Sequence, residues 1–383
     1  MKQIPCDIIR GGTSKGIFID REALPSEKDQ FDREILSLFG SPDARQIDGL
    51  GGADKLTSKV AVMGAPTKVD CDIDYLFGQV NITLPFIDWK SNCGNISAGA
   101  ALYAVLKKYV ATEGEAAKVR IHQVNTGRTL IAAVPVENSQ PKIDGDYSIG
   151  GVPGTAARLD LDFSDFSGCI LGRGILPTGS PCDTYDVPNL GKIDASVVDL
   201  ANLCIFIRAS DVGMDDSTDI VTLQENRTLV KKLETIRASI RASIAVSLGY
   251  IDATLDSDEF RIKMNPLLFI VGAPRDYATL NGNDIPADGY DLFSRSITRG
   301  LFSKAYPGTG SVATAAACCL PGTIASEFMT SEKAGLGETY QIRIGHPSGT
   351  MSLETFISSE GAVQKILLGR TARLLMSGNA FIR

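Results

Sequence analysis

A thiol where a helix opens and a lysine where a strand opens are the two residues of this chain best suited to moving a proton. The thiol is Cys93 in "NCGNISAGAALYAVL", where a short polar, glycine-bearing stretch gives way to an alanine-rich apolar run. Helix N-termini carry unpaired N–H groups, make a thiol more acidic and attract anions. Cys93 could give or take a proton there, while the amides around Gly94 and Asn95 hold a carboxylate or a developing enolate. A small residue tucked against a neighbouring strand accounts for the same cysteine. The lysine is Lys59, between Ser58 and the apolar run "VAVM". Such a lysine either snorkels outward or sits in a low-dielectric pocket, where the uncharged amine is favoured and can act as a base.

Two further loops could hold an anion. In "IIRGGTSKGIFI" the glycines do not make a Walker phosphate loop, because Lys15 precedes Gly16 and no helix follows. The segment reads as strand, Gly-Gly turn, strand, which leaves Thr13 and Ser14 at a bend with N–H and hydroxyl groups to offer. An ordinary hairpin turn reads the same way. "GLGG" in residues 49–52 is not a dinucleotide fingerprint, since it lacks both the spacing and a preceding strand. In the second half "YPGTGS" places Gly308, Thr309 and Gly310 at the mouth of another alanine-rich helix, and "HPSG" places Ser348 in a turn.

The elements that must position these residues occur twice. "NCGN" opens an alanine-rich helix followed by two strands around an Asn-Thr-Gly turn; "PGTG" opens a second, followed by two strands around a His-Pro-Ser-Gly turn. Two helix N-termini facing one another across a cleft between domains would suit a ligand with a carboxylate at each end. "SEKDQFDREILSLFG" reads as a helix capped at Ser26, and "NRTLVKKLETIRASIRASIAVSLG" as a long amphipathic helix ending at Gly249. The Gly/Pro-rich run over residues 171–191 reads as a connection between the halves. This is an α+β pattern with hairpins, not alternating βαβ.

At 383 residues, 44% hydrophobic and 22% charged, the chain fits two globular domains and has no apolar run of membrane-helix length. The N-terminal "MKQIPCDIIRGG" lacks the pattern of a secretory signal, so a cytoplasmic location is expected. A net charge of −7 argues against nucleic acid and requires any anionic ligand to be held by local donors. Eight cysteines without a C-x-x-C pair, and only two histidines, suggest neither a zinc site nor a disulfide framework. Cys318 and Cys319 lie inside an apolar helix and read as core.

"RGGTSKG", "RQIDGLGGADKLTSKVAV", "DIDYLFGQV", "NCGN", "VNTG", the late "GTG" and "HPSG" occur in an order, from Arg10 to Gly349, that resembles the PrpF family. Its members include methylaconitate isomerase, 3-methylitaconate delta-isomerase and 4-oxalomesaconate tautomerase. The resemblance implies two similar domains of the diaminopimelate epimerase-like fold, each a β-sheet wrapped around a central helix, with the active site in the interdomain cleft. The expected domains are 1–188 and 189–365, with a C-terminal strand at about 366–383 able to return to the first. The resemblance also implies a proton transfer that needs no metal or other cofactor, on a small anionic substrate with two or three carboxylates; the lack of a membrane-length apolar run sets the expectation of no membrane partner.

By the same resemblance Lys59 and Cys93 match the proton-transfer pair and Ser14 a carboxylate-binding serine. Lys304, ahead of the second helix, is a further cation placed for a carboxylate or for the proton's return. One departure matters: related epimerases carry a second catalytic cysteine where this chain has Pro307-Gly308-Thr309-Gly310. That speaks against epimerisation at a stereocentre. The wording "GGADKLTSK" looks most like the oxalomesaconate branch, with methylaconitate, methylitaconate and aconitate as alternative substrates. A non-catalytic accessory protein for an iron–sulfur dehydratase is the reading from another class, and a homodimer is one open possibility for the assembly.

Overall fold

The computed structural model describes residues 1–90, 92–214, 219–249, 264–330 and 335–382. The chain forms two compact units, Met1–Asp162 with Gly369–Arg383, and Phe163–Leu368. In the first unit β1 (Lys2–Gly11) and β2 (Ser14–Asp20) make the hairpin read from "RGGTSKG", with Gly11 opposite Ser14 and Gly12 at φ +51° in the turn. β3 (Lys59–Gly64) lies parallel to β2 and β4 (Ile73–Val80) antiparallel to β3. β5 (Ala116–Gln123) runs parallel to β4, and β6 (Arg128–Glu137) returns antiparallel to it around the Asn-Thr-Gly turn. The C-terminal strand Ala372–Ile382 pairs antiparallel with β1.

Alternate residues of β2 serve opposite faces of this sheet, as the pleat requires. Ile17 and Ile19 join a core with Phe31, Ile35, Leu38 and Phe39 of helix α1 (Lys28–Phe39). On the other face Gly16 and Phe18 meet helix α2 (Gly94–Leu106), where a Cβ on Gly16 would stand 2.9 Å from Ile96 Cδ1. α2 is buried from Gly94 to Val105, as a helix apolar all round must be. The cap of α1 corrects the sequence reading: it is Glu27, not Ser26, whose carboxylate accepts from the N–H groups of Asp29 and Gln30. A carboxylate does the hydroxyl's work there and also faces the positive end of the helix dipole.

The second unit repeats the order of pairings. Gly191–Leu200 and Asn202–Arg208 are antiparallel, Asn202–Arg208 and Leu267–Gly272 parallel, and Leu267–Gly272 and Leu292–Thr298 antiparallel. Leu292–Thr298 is then parallel to Thr339–His346, which is antiparallel to Gly349–Ile357. Helix α3 (Arg227–Ser247, capped by Asn226) corresponds in order to α1, and the fully buried α4 (Gly308–Cys319) to α2. The duplication seen in two stretches of sequence therefore extends over whole units.

The run 171–191 belongs to this second unit. Its strand Asp183–Val187 pairs with Gly191–Leu200, and the N–H groups of Ile170 and Leu171 donate to the buried carboxylate of Asp199. Among the described residues no helix is long and apolar enough to cross a membrane.

Candidate active site in the first unit

The entrance of α2 gathers most of the residues read as chemical in the first half. Cys93 is the N-cap residue, 9% exposed, and its side chain makes no capping hydrogen bond. Its carbonyl accepts from the Ser97 N–H at 3.0 Å and the Ser97 hydroxyl at 2.9 Å, which fixes where the helix begins. The first-turn N–H groups that follow, from Gly94 on, have no acceptor within the helix. Tyr75, fully buried beside Cys93 and Ser97, has its phenol pushed well above the ordinary range by burial, so it remains a proton donor.

Asn95 ties this entrance to the Gly-Gly turn. Its Nδ2 donates to Thr13 Oγ1 at 3.0 Å, and its Oδ1 accepts from Arg370 Nε at 3.1 Å. Ser14, one residue on, is buried, and its Oγ has no hydrogen-bond partner among the described residues. Arg370 is 2% exposed, and burial lowers its pKa to about 10, which still leaves it charged at neutral pH. Cys93 lies close enough to oppose that shift. Arg10 Nη1 donates to the carbonyls of Gly12 and Thr371 and to the Thr371 hydroxyl, fastening the segment after Arg370 onto the turn.

Lys59 opens β3 and is 5% exposed. Its Nζ donates to Gln79 Oε1 at 2.8 Å and lies 5.1 Å from the centre of the Phe77 ring. Gln79 is the cross-strand partner of Lys59, and its Nε2 is spent on the carbonyls of Ser58 and Lys55, so its oxygen must face the amine. The loop ahead of the lysine is pinned by buried Gln46, whose Oε1 accepts from the Ser58 hydroxyl and the Ala53 N–H. Gly16 stands opposite Lys59 in the parallel pair and packs on Ile96, so the lysine's strand and the first turn of α2 share a border. The lysine of the sequence reading is thus inside the fold.

The Asn of "VNTG" has a positioning task. Asn125 accepts from the Phe77 N–H and donates to the carbonyls of Phe77 and Trp89, joining the β5–β6 turn to β4 and to the segment leading to Cys93.

In the second unit Gly308, Thr309 and Gly310 form the buried first turn of α4, with Thr309 Oγ1 accepting from Asn202 Nδ2 at 3.3 Å. The Ser348 hydroxyl donates to the Lys304 carbonyl at 2.6 Å, so these two residues meet while the Lys304 side chain is exposed. Cys318 and Cys319 are core residues whose thiols burial pushes up, Cys319 to about 12. No cluster of three or more potential metal-ligating side chains occurs among the described residues.

Gln79, Phe77 and Arg370 are absent from the sequence reading. The first two could have been found by registering "SKVAVMG" against "DIDYLFGQV", which sets Lys59 opposite Gln79. For Arg370 the signal is faint: a Gly-Arg pair closing the apolar "KILL", far from every other site residue in the chain.

Compared with known proteins, residues 1–383 match the family described as PrpF protein. The chain is 41% identical to the 3-methylitaconate isomerase of Eubacterium barkeri over 381 residues, 99% of this chain and 97% of that protein. It is 34% identical to the 4-oxalomesaconate tautomerase of Pseudomonas putida, covering 98% of this chain and 95% of that one. A crystal structure of a methylitaconate-delta-isomerase superposes with a TM-score of 0.82 at 41% identity, covering 99% of this chain and 95% of the other. The fold alone extends to a hydroxyproline epimerase from Agrobacterium vitis, at TM-score 0.54 and 9% identity over 99% of this chain and 92% of that one.

Proposed function

The chain belongs to the PrpF family of isomerases, and from that premise we propose that it moves a proton, and with it a double bond, in a small unsaturated di- or tricarboxylic acid. The observation that carries this reading is the buried amine of Lys59, aligned by Gln79 at 2.8 Å on a strand that borders the entrance of α2. An allylic shift breaks a C–H bond beside a carboxylate or carbonyl, places the electron pair in an enolate-like system, and forms a new C–H bond at its far end. No electrons enter or leave.

Lys59 takes the proton, which an amine does in its neutral form. The developing negative charge falls to the first-turn amides of α2 with Thr13 and Ser14, preorganised donors of the kind that usually supply the largest catalytic effect. Cys93 shapes that anion site and is available for the proton's return. In the second unit Thr309 and Lys304 are the donors proposed for a carboxylate, the Ser348 hydroxyl being spent on the Lys304 carbonyl.

Identity of 41% to a 3-methylitaconate isomerase, against 34% to a 4-oxalomesaconate tautomerase, puts a methylitaconate first among the acids to test. The oxalomesaconate-like wording of residues 51–59 keeps that acid second. The test is a proton NMR time course in deuterated water with methylitaconate, oxalomesaconate, methylaconitate and aconitate. We expect one acid to convert, with deuterium entering at an allylic carbon. Conversion of none of them would overturn the proposal.

A further inference from the structure

We infer that Arg370 is a positioning residue that works through Asn95 to aim the Thr13 hydroxyl at the substrate's anionic end, an inference that rests on the isomerase reading of this site. The directions of the hydrogen bonds carry it. A guanidinium has donors and no acceptor, so the 3.1 Å contact from Arg370 Nε requires the oxygen of the Asn95 amide to face the arginine. The amide nitrogen must then face Thr13, and it does, at 3.0 Å. Thr13 Oγ1 is thereby committed as an acceptor, and no acceptor takes its proton among the described residues. That proton is left for a ligand.

A hydrogen bond drawn from a charged donor is the stronger kind, and successive bonds in a chain polarise one another. The positive charge of a side chain closed off from solvent is in this way expressed at a half-buried hydroxyl. The neighbouring donors agree in sign: the first-turn amides of α2 and the buried Ser14 hydroxyl. Gly12 keeps the space, because a Cβ there would collide with Asn95 Oδ1 and stand 3.2 Å from Arg370 Cδ, at a φ of +51° that already favours glycine. The Gly-Gly turn is thus fitted to the relay as well as to the hairpin.

The test combines turnover with calorimetric binding of methylsuccinate, a saturated dicarboxylate that cannot isomerise. Thr13→Val is expected to weaken methylsuccinate binding about tenfold, the scale of one hydrogen bond to a charged group, and Thr13→Ser to restore it. Arg370→Gln and Asn95→Leu should each weaken binding by a similar factor in the Thr13 protein and add nothing in the Thr13→Val background. A purely structural arginine would lower the melting temperature and weaken binding equally in both backgrounds, and that result would overturn the relay. Asn95→Leu, similar in size and uncharged, covers the case in which Arg370→Gln does not fold, since it removes the donor to Thr13 while leaving the arginine in place. Binding of methylsuccinate without isomerisation of any acid would sink the proposed reaction and leave the relay standing. Isomerisation with additive Arg370 and Thr13 effects would sink the relay and leave the reaction standing. A wild-type chain that binds no methylsuccinate overturns the relay outright.

Discussion

At Lys59, burial and a neutral partner act together. The amine is withdrawn from water, and the group it touches is the Gln79 amide oxygen, not a carboxylate. That hydrogen bond fixes where the nitrogen sits. Lys59→Ala should therefore lower kcat by about 10²–10⁴-fold, the usual range for a general base, with the far-UV circular dichroism unchanged. Lys59→Arg keeps a cation and a donor for Gln79 but cannot give up its proton at any working pH. It should be as inactive as the alanine variant, and an active arginine variant would remove Lys59 from the base role. Cys93→Ser, which keeps a small hydroxyl at the helix entrance, should cost less than either. The types Lys59, Cys93, Thr13 and Asn95 were legible because each sits at a visible break between polar and apolar sequence. Gln79 emerges only once two neighbouring strand segments are set in register, and Arg370 was not legible, because the return of the C-terminus gave it its neighbours.

Among the elements, the junction of β1 with α2 decides whether that geometry exists. Gly11 ends β1, and a Cβ there would sit on the carbonyl oxygen of Asn95 and 2.9 Å from the backbone nitrogen of Gly99. Both obstacles are backbone, so neither can swing aside. Alanine would ordinarily favour a strand over glycine by roughly 0.5–1 kcal/mol, but overpacking a close contact costs typically about 1–3 kcal/mol. We expect Gly11→Ala to lower the urea midpoint and to reduce kcat more than the stability loss accounts for, because the helix entrance is displaced from Thr13. A variant at least as stable as the wild type would show that the strand and helix have room to separate. Helices and hairpins were readable from small-residue runs and turn residues, apart from the Glu27 cap, where the pattern favoured the neighbouring serine.

Over the whole molecule, two units with the same order of pairings are built from one chain whose last strand completes the first unit. The strand Ala372–Ile382 covers one side of β1 and contributes Ala380 and Ile382 to the core shared with α1. Its removal leaves β1 as an open edge and withdraws apolar cover from Ile4, Ile17 and Phe39. A chain ending at Thr371 should lose turnover, and limited proteolysis should cut first within residues 1–162 while leaving 163–368 protected longer. Equal resistance in the two regions would mean that the first unit does not depend on its returning strand. The net charge of −7 sets a complementary condition: attraction of an anionic substrate has to come from the fixed donors at the helix entrance, not from the overall field.

Composition, turn chemistry and the order of motifs were enough to determine an α+β chain of two like halves, the family, and the lysine and cysteine worth testing, because those properties depend on residues near one another in sequence. The tertiary structure alone decided that Arg370 reaches Asn95 from the far end of the chain and that residues 163–191 pack with the second unit. Each of those follows from which strand lies beside which, and that is settled by burial of whole surfaces summed over the fold. No local stretch of residues contains that sum.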